Sequence, residues 1–157
     1  MKLLFASQNK HKIEEIKPLM PPSVELLSLT ALGFFEEIPE TSPTLAGNAL
    51  QKAQFIFAQF HNILPSKGVG GCFADDTGLE VAALNGAPGV YSARYAGENK
   101  SADDNIEKLL RELNGVENRY AEFKTVIALV GFGEPLFFEG IVKGAITKEK
   151  QGSNGFG

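Results

Sequence analysis

GCFADDTGLEVAALNGAPGVYSARYAGE, residues 71–98, is the stretch whose reading decides the fold. An apolar approach, Cys72-Phe73-Ala74, delivers two adjacent carboxylates, Asp75 and Asp76, and a polar Thr77-Gly78 turn leads into a second apolar run from Leu79 to Leu84. Short apolar runs bounded by turn residues read as buried strands, so the two acids are expected at a strand end. Carboxylates forced together repel; they take up a proton, which raises one pKa, or bind a cation such as Mg²⁺. A bare Asp-Asp pair also fits a solvated turn between two hairpin strands.

Upstream, Lys2 to Ala6 reads as a short buried strand, and Lys10 to Leu19 places Ile13, Ile16 and Leu19 at helical spacing before Pro21-Pro22 ends the helix. Val24 to Leu29 reads as a strand. Ser42 or Thr44 can cap a helix running to about His61, with Ala46, Ala49, Leu50, Ala53 and Phe57 on its buried stripe. Residues 62–71 read as a loop. Downstream, Ser101 to Leu113 is a helix with Asp103 and Asp104 in its first turn and Asn114-Gly115 as its stop. Glu122 to Gly131 and Leu136 to Thr147 read as a strand pair around Gly133-Glu134-Pro135. The pattern is mixed α/β.

With 157 residues, 43% of them hydrophobic, the chain fits one domain, residues 1–157, with enough apolar surface for a core. One cysteine excludes an intramolecular disulfide, and neither a secretory h-region nor a long uncharged apolar segment is visible. A reducing cytoplasmic setting without membrane contact is the expectation. The formal net charge of −4 offers no basic field for nucleic acid, so any phosphate must be met locally. The spacing of His11, His61 and Cys72 suggests no zinc site.

Four separated blocks give a sharper reading: FASQNKHKIEEI (5–16), ETSPTLAGNALQKA (40–53), ADDTGLEV followed by GAPGVYSARYAG, and GSNGFG (152–157). In this order they resemble the signature of the inosine triphosphate pyrophosphatase family. The resemblance implies an elongated fold, a mixed twisted sheet with flanking helices and two lobes around a central cleft. It also implies Mg²⁺-dependent hydrolysis of non-standard purine nucleoside triphosphates (ITP, dITP, XTP) to monophosphate and pyrophosphate, in a homodimer.

Site residues follow from the same resemblance. The Ser7-Gln8-Asn9-Lys10-His11-Lys12 stretch after the first strand resembles the family's TGNxxK loop, which makes Ser7, Asn9 and Lys12 candidates for binding phosphate. Asn48 and Lys52, four apart, share one helix face. The family's motif there is commonly ENAxxKA; Gly47 stands in place of its Glu, and Glu40 matches the acidic residue that helps hold the metal. The resemblance thus makes Glu40, Asp75 and Asp76 metal ligands, Asp76 the general base and Lys52 a phosphate partner. Thr77 bonds phosphate or ribose, and Phe156 packs against the purine. Arg94, bracketed by Tyr91 and Tyr95, reads either as a phosphate or Asp75 partner or as half of a structural ion pair.

Family members continue past GFG into YDP, a lysine and a Ser-His-Arg segment that read the base, whereas this chain stops at Gly157. The expectation is a C-terminally incomplete domain that keeps metal and phosphate residues and discriminates bases poorly. Two alternatives stand beside it: a catalytically weak nucleotide-binding fragment and a related pyrophosphatase acting on pyrimidine triphosphates. A phosphatase with an aspartyl nucleophile is disfavoured, since it needs two Asp separated by one residue and these are adjacent.

Overall fold

The computed structural model describes residues 1–99 and 101–152. In chain order it has β1 (Lys2–Phe5), α1 (Lys10–Ile16), β2 (Glu25–Ser28), α2 (Leu45–Phe60), β3 (Val69–Val81), β4 (Pro88–Gly89), α3 (Ala102–Glu112), β5 (Tyr120–Val130) and β6 (Leu136–Ala145). One sheet takes the order β2-β1-β3-β5-β6, with β4 also paired to β3. β1 lies parallel to both β2 and β3, and β4 runs antiparallel to β3, so the sheet is mixed.

The largest departure from the sequence reading is β3. It runs unbroken from Val69 to Val81, which sets Asp75 and Asp76 in mid-strand rather than at a strand end, and Thr77-Gly78 does not turn. Thr77 is β-branched and suits extended backbone. Its hydroxyl meets that of Thr125 on β5 at 2.9 Å, and Leu79 and Glu80 pair with Gly89 and Pro88. These contacts outweigh the local turn signal of Thr-Gly. A second difference is α1, which stops at Ile16 and continues as a tighter 3₁₀ turn over Lys17–Leu19. Pro18 has no N–H to donate to Glu14, which ends the α-helical ladder there.

The chain forms two compact units: Met1–Asp76 with Val126–Phe138, and Thr77–Thr125 with the chain from Glu139 onward. In the first, Leu4, Leu29, Ile56, Leu64 and Cys72 are buried at the centre of the core, and each large aliphatic side chain so buried contributes about 1.5–3 kcal/mol. Phe5 and Phe73, partners in the β1–β3 register, stack at 4.7 Å between ring centroids. That register fixes the site: the loop following Phe5 runs alongside the residues following Phe73. In the second unit, α3 lays Leu109 and Leu113 against Val81 and Ala121. Ser101 caps α3 by accepting from the Asp104 N–H, and Asp103 and Asp104 lie at the positive end of the helix dipole.

Among the described residues no helix is long and apolar enough to cross a membrane. The glycines of β3 carry a packing constraint. A Cβ at buried Gly71 would lie 2.5 Å from the Phe132 ring and 2.7 Å from the Val130 carbonyl oxygen, whereas at exposed Gly70 the nearest atom is 3.4 Å away. The carbonyl belongs to the neighbouring strand and cannot step aside. Gly71→Ala is therefore expected to cost about 1–3 kcal/mol in urea denaturation, and Gly70→Ala to stay within about 0.5 kcal/mol of wild type. Equal midpoints for the two variants would show that the sheet is looser here than these distances require.

Candidate functional site

Successive side chains of a strand leave it on opposite faces, so Asp75 and Asp76 reach different partners. Asp75, 5% exposed, receives the Lys12 ammonium at 2.5 Å; Lys12 stands one turn into α1, on the segment the β1–β3 register carries past it. Asp76 faces α2. Its Oδ2 accepts from Asn48 Nδ2 at 3.1 Å, and its Oδ1 is 3.6 Å from Lys52 Nζ. The same ammonium lies 2.5 Å from Glu40 Oε1.

Asn48 and Lys52 stand on the buried face of α2 together with Leu45, Ala49, Ala53 and Ile56. A lysine on a helix is ordinarily solvated, yet Lys52 is 8% exposed. The loop before α2 is fastened by the helix itself. Thr44 caps it through the Gly47 N–H at 3.0 Å, Asn48 Oδ1 accepts from the Ser42 N–H at 2.8 Å, and Gln51 both accepts from the Thr41 N–H and donates to the Thr41 hydroxyl at 2.9 Å. Glu40, at the head of this loop, is thereby held over Lys52. Gly47 matters to the same fastening: a Cβ there would lie 1.9 Å from Ser42 Oγ.

Burial pushes the Asp76 carboxyl above its ordinary range. The Lys52 ammonium, the Asn48 amide and, more weakly, Lys12 oppose that rise, and the Glu40 carboxylate adds to it. The like charge acting on Asp76 thus comes from Glu40, across the loop, rather than from a forced encounter of adjacent aspartates. A carboxyl whose proton affinity is raised by burial is a candidate for proton transfer.

The other expected site residues lie as follows. Ser7 Oγ accepts from the Asn9 N–H at 3.2 Å and Asn9 Oδ1 accepts from the Lys12 N–H at 3.3 Å, so both shape the loop that presents Lys12. Arg94, in the second unit, has its guanidinium 5.3 Å from the ring centroid of Tyr91, one of the two tyrosines that bracket it in sequence. Thr77 also belongs to that unit, with its hydroxyl against Thr125. Phe156 lies outside the described residues. Cys72 is wholly buried with its thiol pushed up to about 12, an inert core residue. The sequence reading put Asn48 on the right helix face without giving it a role, and it missed Gln51 and Thr41; polar residues at positions 48, 51 and 52 on one helical stripe are the signal that marks them.

Among the described residues no three His, Cys, Asp or Glu side chains gather to hold a metal ion. The chemistry of the donor set nevertheless fits a hard divalent cation. Glu40, Asp75 and Asp76 offer only carboxylate oxygens, and when ionised their three charges exceed the two of Lys12 and Lys52.

Residues 3–157 match the profile of the Ham1 family. A dITP/XTP pyrophosphatase of Flavobacterium johnsoniae is 54% identical, the match covering all of this chain and 78% of the relative. That of Porphyromonas gingivalis is 51% identical over 99% of this chain and 77% of its own length. Among solved structures, the Staphylococcus aureus Ham1 protein aligns with a TM-score of 0.84 at 40% identity, covering the whole chain and 78% of that protein. A HAM1 protein from Coxiella burnetii aligns at 0.86 with 36% identity and the same coverage.

The raised Asp76 carboxyl has consequences measurable without substrate. In metal-free protein, carboxyl ¹³C NMR should find Asp76 titrating above the 3.8 of an unperturbed aspartate, and Lys52→Gln should move it further up. Because the folded-state value is the higher one, the contribution of Asp76 to stability is complete below the unfolded value and is lost as pH rises through the folded one. Asp76→Asn escapes that loss. Its melting temperature should exceed that of wild type at neutral pH, with the difference closing in acid; a lower melting temperature at neutral pH would contradict the sign.

Proposed function

The chain belongs to the Ham1 family, and from that membership and the lysine–carboxylate cluster around Lys52 we propose the reaction and the residues that perform it. The protein hydrolyses non-standard purine nucleoside triphosphates of the dITP and XTP type, the activity for which its relatives are named. The observation that carries the assignment of roles is Asp76, half-buried beside α2, clasped by Asn48 and Lys52, and raised in pKa.

In this reading water attacks the α-phosphorus, the bond from that phosphorus to the α,β-bridging oxygen breaks, and nucleoside monophosphate and pyrophosphate separate. Asp76 takes the proton of the attacking water through the oxygen facing Lys52, while Asn48 keeps the other engaged. Lys12 and Lys52, now paired with carboxylates, turn their ammonium groups to the phosphate oxygens, and Ser7 and Asn9 hold the loop on which Lys12 stands. Glu40, Asp75 and Asp76 would hold Mg²⁺, which supplies neutralisation of phosphate charge and a more acidic water. Arg94, Thr77 and Phe156 keep the substrate-binding roles that the family resemblance gives them.

Two further elements complete the proposal. The protein works in the cytoplasm, a reading supported by its lone, buried cysteine. It works as a homodimer, which the exposed length of β6 supports. All ten residues of that edge strand face solvent, Phe137, Phe138, Ile141 and Val142 among them, and an apolar edge of this kind seeks a partner.

Pyrophosphate release from dITP and XTP tests the chemistry. Asp76→Asn keeps the side-chain volume and removes the base, so kcat should fall by about 10²–10⁴ with nucleotide affinity largely retained. Excess EDTA should abolish turnover and Mg²⁺ should restore it. Full activity in EDTA would remove the metal from the mechanism, and unchanged turnover in Asp76→Asn would transfer the base role elsewhere. Light scattering coupled to size exclusion should report twice the monomer mass; a monomer at micromolar concentration would end the dimer reading.

A further inference from the structure

Asn48 is 2% exposed, on the stripe of α2 that carries Lys52 and the apolar contacts of the helix. A polar amide survives such burial only when its atoms are matched, and both ends of this one are. Its Oδ1 accepts from the Ser42 N–H at 2.8 Å and its Nδ2 donates to Asp76 Oδ2 at 3.1 Å. The orientation of the amide is settled by its neighbours. Only a carbonyl oxygen can meet the Ser42 N–H, so the NH₂ group must meet the carboxylate.

We propose that Asn48 is a positioning residue: its side-chain amide fixes the rotation of the Asp76 carboxylate and ties that carboxylate to the loop bearing Glu40. The inference rests on the reading of Asp76 as base. The two groups that clasp Asp76 differ in what a polyphosphate does to them. Lys52 is an ammonium, shared between Asp76 and Glu40, and a triphosphate competes for it directly. Asn48 is neutral, already bonded on both sides, and fixed by a helix that Thr44 caps and Ala49, Ala53 and Ile56 anchor. When Lys52 turns toward phosphate, the amide remains the restraint on Oδ2 and leaves Oδ1 directed outward for the proton. Other residue types fail for stated reasons. Leucine fills the space but strands the Ser42 N–H; aspartate keeps the acceptor for Ser42 and sets a second negative charge against Asp76.

Substitutions separate the two bonds. Asn48→Asp preserves the loop tie and loses the donor, whereas Asn48→Ala loses both. Each is made in the wild-type and Asp76→Asn backgrounds, and kcat and KM for dITP with Mg²⁺ are measured together with melting temperature. In the wild-type background both variants should lower kcat by about 10–100-fold with KM changed by only a few-fold. In the Asp76→Asn background Asn48→Asp, which keeps the tie to the Glu40 loop, should move the residual kcat by less than about threefold, because a group acting through Asp76 has nothing left to position. Equal losses in both backgrounds, or wild-type kcat in folded Asn48→Asp, would overturn the inference while leaving Asp76 as base. Near-normal turnover in Asp76→Asn alone would overturn the base assignment and the inference with it. Should Asn48→Ala fail to fold, Asn48→Asp decides the matter.

Discussion

The ammonium of Lys52 is the charge on which the site depends. It sits on the buried face of α2, within reach of Glu40 and Asp76, in a setting where an unpaired charge is not tolerated. Three features answer to that demand. The loop from Glu40 to Thr44 must be held close enough for its carboxylate to serve as partner, which Gln51, Asn48 and the Thr44 cap accomplish from three successive turns of the helix. The helix must not rotate, which Ala49, Ala53 and Ile56 secure by packing into the core. And β3 must pass beneath it in extended form so that Asp76 points at the helix while Asp75 turns to Lys12.

A cluster so arranged is satisfied by itself and still open to exchange. The lysines and acids offset one another at Asp76, whose carboxyl burial lifts and Lys52 draws back. On the proposed reading, a triphosphate arriving with its cation offers every member a stronger partner at once: phosphate for the ammonium groups, metal for the carboxylates.

Much of this was legible in the residues. The Ser101 and Thr44 caps, the strand before Ser7 and the strand pair around Pro135 all follow local rules that tertiary packing did not override. The continuity of β3 was not legible, because Thr77-Gly78 reads as a turn until the Thr125 hydroxyl and the Pro88–Gly89 segment are placed beside it. Nor was the burial of Lys52: helical periodicity groups it with Asn48 but cannot tell whether that face meets solvent or a strand. The family resemblance singled out the acids and lysines, and the coordinates add which acid meets which lysine. They also show that burial lifts the Asp76 carboxyl, that Lys52 is the neighbour that most opposes the rise, and that Glu40, in the segment between β2 and α2, adds to it.

Gly47 has one more implication, for how this sequence can change. The family commonly carries Glu at the corresponding place, yet here the Ser42 hydroxyl occupies the space that any Cβ would need. Positions 42 and 47 are therefore not free to vary separately. A larger residue at 47 is tolerated only once the segment bearing Ser42 and Thr44 has shifted, since Ser42 Cβ and Thr44 Oγ1 would also lie 2.7 and 2.9 Å from the new Cβ, and that movement disturbs the contacts of Ser42 with Thr44 at the helix cap. The route back to the common family pattern is a two-step path with a strained intermediate, and the order of the steps matters. Removal of the side chain at 42 relieves the two closest contacts before replacement at 47, while the reverse order passes through a clash. Relatives that lack this glycine should differ at position 42 as well.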